Sequence, residues 1–138
     1  MKRVITIEHD GTTYYGDVMR IKSTMLGYED HGILTAQLYC EGDGCGVAVG
    51  GFCLDNPSDG PGYDRRGTAY GLDHLIRIME TVGVSSWEAL AGKDVVVLRE
   101  SEHGWGSVSV GVAGLLNDRV LILKEHAEVW RDCEGVAS

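Results

Sequence analysis

The segment Ile33-Leu-Thr-Ala-Gln-Leu-Tyr-Cys40, the turn Glu41-Gly42-Asp43-Gly44 and the segment Gly46-Val-Ala-Val-Gly-Gly-Phe-Cys-Leu54 decide the fold. In the first, Leu34, Ala36, Leu38 and Cys40 alternate with Thr35, Gln37 and Tyr39. A period of two places the apolar set on one face of a strand. The acidic glycine turn is short enough to close a hairpin onto the second segment. Glycine at 46, 50 and 51 weakens that strand and marks a bulge or a close approach by a ligand or another backbone.

Upstream, residues 3–8 alternate and are β-branched, and Asp10-Gly11 is a hairpin turn signal. Residues 12–25 then read as a long second strand, ending in a turn at Gly27 and Glu29-Asp30-His31-Gly32. The four strands form an antiparallel meander. Downstream, residues 55–67 hold both prolines and read as the longest loop, the place where function concentrates. A helix is expected from about 69 to 82, with Thr68 as N-cap and Gly83 as its stop. Leu72, Leu75, Ile76 and Met79 form its expected apolar face. Ser85 and Glu88 have capping-box spacing for a short helix over about 85–91, closed by Gly92, with Trp87 as its anchor. Residues 94–99 read as a buried strand, and 107–113 and 119–123 as two more around Asn117-Asp118. The tail from Lys124 has helical character but is short and polar. The expected fold is α+β, one domain over residues 1–138, with an antiparallel sheet of six to seven strands.

Of the 138 residues 20 are glycine, and nine of these fall within residues 42–71. The formal charge is −9, and its distribution is uneven. Residues 23–64 carry seven acids and no Lys or Arg, and the stretch ends at Arg65-Arg66. Such a chain is a poor general binder of nucleic-acid backbones. No apolar run reaches the roughly 20 residues of a membrane span. The four cysteines, Cys40, Cys45, Cys53 and Cys133, include no CxxC and read as small buried hydrophobes. The N-terminus lacks the apolar run of a secretory signal.

The strongest candidate for chemistry is Gly60-Pro-Gly-Tyr63-Asp64-Arg65-Arg66-Gly67-Thr68-Ala-Tyr70-Gly71. A glycine-rich loop here runs into a helix N-terminus, where unpaired N–H groups and the helix dipole favour an anion. Arg65 and Arg66 add charge, Gly67 allows close approach, Thr68 adds a hydroxyl, and Tyr63 and Tyr70 can stack on a base. The segment lacks the lysine of a phosphate-binding P-loop. The competing account is that the arginines pair with Asp59, Asp64 or other loop acids.

Glu29-Asp30-His31, with Asp55 as a spatial neighbour, is a second candidate, for metal or acid–base work. Ordinary turn formation explains the same residues. Asp55-x-x-x-Asp59-Gly60 fails as a calcium loop, because Pro57 and Arg66 stand at ligand positions. Glu100-x-Glu102-His103 reads as a solvated hairpin loop, and His9, His74 and His126 have no evident partner. The sequence calls for no cofactor, no metal and no catalytic constellation.

Two stretches carry a resemblance. Ser23-Thr-Met-Leu-Gly-Tyr-Glu-Asp-His-Gly-Ile-Leu-Thr35 resembles a segment of small uncharacterised proteins of tailed bacteriophages and prophages. So does Gly67-Thr-Ala-Tyr-Gly-Leu-Asp-His-Leu-Ile-Arg77 together with Gly83-Val-Ser-Ser-Trp-Glu-Ala-Leu-Ala-Gly-Lys93. The resemblance covers about residues 20–100 and implies a non-virion accessory protein of the host bacterial cytoplasm. It carries over no catalytic residue. The expectation is a non-enzymatic binder of a small anionic, nucleotide-type ligand, acting in counter-defence by sequestering a host immune signal. Arg65, Arg66, Gly67, Thr68, Tyr63, Tyr70, Asp55 and His31 are the expected ligand-binding residues. The alternatives are an acidic inhibitor of a host protein and a small metal-dependent enzyme. A homo-oligomer built through glycine-flattened strands is a further expectation.

Overall fold

A single 17-residue strand organises the molecule. The computed structural model describes residues 5–28, 32–42, 44–52, 54–57, 64–102 and 109–137. Strand β1 (Ile5–His9) turns through Asp10-Gly11 into β2 (Thr12–Tyr28). Both turn residues have positive φ, 50° and 80°, the type I′ geometry that matches strand twist. One edge of β2 carries β1 and then β3 (Leu34–Gly42). Its other edge, over Tyr15–Arg20, carries β7 (Asp94–Arg99). A register shift between Ile21 and Ser23 lets the strand bend where its partner changes.

Strand β4 (Cys45–Phe52) pairs with β3 as expected, and β8 (Gly111–Ala113) and β9 (Val120–Ile122) extend the sheet beyond β7. The result is a seven-stranded antiparallel sheet, order β4-β3-β2-β7-β8-β9 with β1 on β2. It curls enough for the Ser109 hydroxyl to reach the Ala48 carbonyl at 3.3 Å. The fold is α+β.

The core sits inside this curl. Ile21, Leu38, Cys40, Val49, Val95 and Val112 pack with Ile78 and Leu90. The opposite face of β7 packs Val96 and Leu98 against Tyr14, Ala113 and Ile122. The apolar run Val95–Leu98 is therefore buried on both faces, as its unbroken hydrophobicity implies. Cys40 is a free, buried thiol whose pKa burial pushes up to about 11, so it acts as a small hydrophobe.

The structure departs from the sequence expectation in four places. Residues 55–67 are not a plain loop, because β5 (Asp55–Pro57) and β6 (Arg65–Gly67) pair antiparallel as a two-stranded ribbon. The short helix over 85–91 shrinks to one 3-10 turn at Trp87–Ala89, and its N-cap Ser86 makes no side-chain cap bond. Strand β2 runs on through Gly27, which pairs with Thr35 and so is not part of the turn, whereas the helical character expected of the tail is present as α2 (Leu123–Ala137). Helix α1 (Ala69–Val82) has the expected caps, with the Thr68 hydroxyl accepting from Gly71 N at 2.9 Å and Gly83 at φ 92°. Its buried stripe, however, is Gly71, His74, Ile78 and Thr81, and Leu72 is 63% exposed.

The rotation of α1 has a backbone cause. A Cβ at Gly71 would stand 2.1 Å from the Leu54 carbonyl oxygen, so only glycine lets the helix sit on that chain. Thr68 donates its hydroxyl to the same carbonyl at 2.8 Å. Neither described helix is long and apolar enough to cross a membrane.

Candidate functional site at the N-terminal half of helix α1

Asp55 is 3% exposed, and a lone buried carboxylate would be strongly disfavoured. Here four donors fill it. Arg65 donates through Nε at 2.9 Å and through its terminal nitrogen at 2.7 Å. The Leu34 backbone N–H donates at 3.0 Å and the Tyr28 hydroxyl at 3.2 Å. The Arg65 guanidinium holds the Asp55 carboxyl well below the usual carboxylate range, and the Leu34 and Tyr28 donors outweigh the opposing effect of burial together with it. This knot ties the β5–β6 ribbon to the end of β2 and the start of β3.

Arg66 differs from its neighbour. It is exposed, and its side chain makes no hydrogen bond or ion pair among the described residues. Gly67 is exposed beside it, with open space where a side chain would stand. Two residues on, α1 begins with no acidic residue in its first turn. The Thr68 hydroxyl is spent on Gly71 N and Leu54 O. His31 and Tyr63 lie outside the described residues, as do Glu29, Asp30 and Asp59.

Tyr70 points the other way from the expected ligand face, into a ring cluster. Its ring lies 6.0 Å from His74 and 5.4 Å from His126 of α2, and the two imidazoles are 5.9 Å apart. His74 is fully buried, and neither ring nitrogen has a hydrogen-bond partner among the described residues. It lies flat against β4, so a Cβ on Gly51 would fall 2.6 Å from its Cε1. Burial, with His126 nearby, pushes the His74 pKa down to about 4, so the ring is neutral at pH 7.

His126 is held by Asp73, whose Oδ2 lies 2.7 Å from His126 Nε2 and accepts from Trp130 Nε1 at 3.2 Å. Burial works to raise Asp73, but these two donors and the charge of Arg77 outweigh it and hold the carboxyl below its ordinary value. His126 Nδ1 is buried with no partner among the described residues. Asp73, His74, His126 and Trp130 are residues that the sequence did not single out for chemistry. The i, i+4 pairs Tyr70/His74 and His126/Trp130 were visible, but the contact across 53 positions between Asp73 and His126 was not.

A separate group stands at the β1–β2 turn, where His9 Nε2 lies 3.5 Å from Asp10 Oδ2 and 3.2 Å from Glu125 Oε1. Its three ligand atoms could share one ion.

Comparison of the chain with protein-family models, curated proteins and solved structures returned no match.

Proposed function

We propose that this protein is a non-enzymatic phage accessory protein that binds a small anionic ligand of the nucleotide type. Holding that ligand withdraws a host immune signal from use. The observation that carries the reading is Arg66, exposed and without a partner among the described residues, beside an α1 N-terminus that has no acid in its first turn. A guanidinium next to free helix N–H groups is suited to phosphate oxygens. Arg65 contributes rigidity, since its bond to Asp55 fixes the ribbon that presents Arg66. Open space over Gly67 supports close approach of a phosphate to the backbone. The resemblance of the 23–35 and 67–93 segments to phage proteins supports the biological setting.

Thermal-shift and calorimetric titration with cyclic di- and trinucleotides and ADP-ribose derivatives tests the proposal. Saturable binding is expected for at least one of them, weakening as salt rises. Arg66→Ala should lower the affinity at least tenfold with the melting temperature unchanged. Binding that is identical in Arg66→Ala, or no binding across the panel, overturns it.

A further inference from the structure

Buried polar atoms in folded proteins are almost always paired, and an orphan calls for a ligand, a water or an ion. The contact between α1 and α2 concentrates three such atoms on two side chains: both ring nitrogens of His74 and Nδ1 of His126. The contact of His126 Nε2 with Asp73 Oδ2 at 2.7 Å leaves Nδ1 as the ring nitrogen open to a ligand. His74 adds two buried ring nitrogens without a partner among the described residues, with its ring centre 5.9 Å from that of His126.

We propose that His74 and His126 bind one borderline divalent transition-metal ion, of the Zn2+, Co2+ or Ni2+ class, between helices α1 and α2. Two imidazoles sharing such an ion have ring centres about 5–6 Å apart, given metal–nitrogen bonds of about 2.0–2.1 Å. The observed separation is 5.9 Å. Asp73 acts as the outer carboxylate that metal-bound histidines commonly hold through their other ring nitrogen; it fixes the tautomer and the ring plane of His126. Trp130 and Arg77 in turn hold Asp73, from Nε1 and from a guanidinium 3.2 Å from its Oδ1. The Tyr70 ring packs beside both imidazoles, 6.0 Å from His74 and 5.4 Å from His126. Nitrogen donors select borderline ions over Mg2+ and Ca2+, which prefer oxygen. The remaining coordination positions are left for water or for oxygen atoms of a second ligand.

The test titrates the full chain, stripped with chelator, with Zn2+ alone and with Co2+ alone. Binding is followed by calorimetry, by cobalt visible absorption and by the ring 15N resonances of the histidines. One ion per chain is expected, with the His74 and His126 resonances shifted, no response to Mg2+, and at least tenfold weaker binding in His126→Gln. The His126 side chain is 10% exposed, whereas His74 is fully buried, so this variant tests the site even if His74→Gln fails to fold. Asp73→Asn should weaken binding while leaving the His126 resonance responsive to metal. His9→Gln should leave binding unchanged. No binding of either ion, or binding that His9→Gln abolishes and His126→Gln does not, overturns the proposal; the second result would place the ion at the β1–β2 turn.

Discussion

Asp55 and Arg65 stand ten positions apart in a stretch the sequence presents as loop, yet they form the tightest polar knot described in the chain. The carboxylate is 1% exposed and receives four hydrogen bonds. Removing one partner of a buried pair leaves an uncompensated charge, which costs about 3–5 kcal/mol. Arg65→Ala should therefore lower unfolding stability at pH 7 by about 3 kcal/mol, measured by urea denaturation. The pH dependence has a definite sign. A folded-state carboxyl held below its ordinary value contributes stability above about pH 4 and loses it as pH falls further. The gap between wild type and Arg65→Ala should narrow below pH 4, because Asp55 of the unfolded chain takes up a proton there while the folded carboxylate, held low by Arg65, does not. A gap constant down to pH 2 would contradict the assignment. The sequence made Arg65 and Arg66 look equivalent. They are not, and the difference arises because a carboxylate buried between β3 and β5 can satisfy only one guanidinium. Pairing of the arginines with loop acids was legible; which acid, and which arginine, was not.

At the scale of elements, local pattern predicted what local interactions determine. The β1–β2 turn, the alternation of β3 and the caps of α1 follow from neighbouring residues, and all are present. Elements set by distant contacts were less legible. Helix α2 is polar in composition and meets α1 through the contacts of His126 and Trp130 with Asp73. The β5–β6 ribbon contains Asp55, Asn56, Pro57 and Gly67, poor strand formers, and is tied in place by the Asp55 knot. The rotation of α1 is decided by the close approach of Gly71 to Leu54, which outweighs the apolar set Leu72, Leu75, Ile76 and Met79. Gly71→Ala tests this directly. Alanine is the better helix former by about 1 kcal/mol, so an unconstrained helix would gain stability. Here a net loss of about 2 kcal/mol is expected from the clash with the Leu54 carbonyl. A stabilised variant would contradict the contact. Thr68→Ala should cost about 1 kcal/mol through the lost cap alone.

For the whole molecule, the sheet is built around β2, which carries β1 and β3 on one edge and β7 on the other, while β7 is buried on both faces. Native-state hydrogen exchange should be slowest at the paired amides of β7 and of β2 residues 15–20, and faster in the three-residue strands β5 and β6. Equal protection of the ribbon and β7 would contradict this hierarchy. The charge asymmetry that drew attention to residues 23–64 is partly consumed inside the fold, since Asp55 is neutralised by the arginine just beyond the stretch. What that boundary leaves on the surface is Arg66, next to a helix N-terminus. The central claim is that a nucleotide-type anion binds there. Its most direct test is amide chemical-shift mapping of the 15N-labelled chain titrated with a cyclic dinucleotide and with an ADP-ribose derivative. Saturable shifts concentrated at the Arg66–Gly71 amides are expected for at least one ligand. Shifts that cluster elsewhere, or no saturable shift at these amides with either ligand, would contradict it.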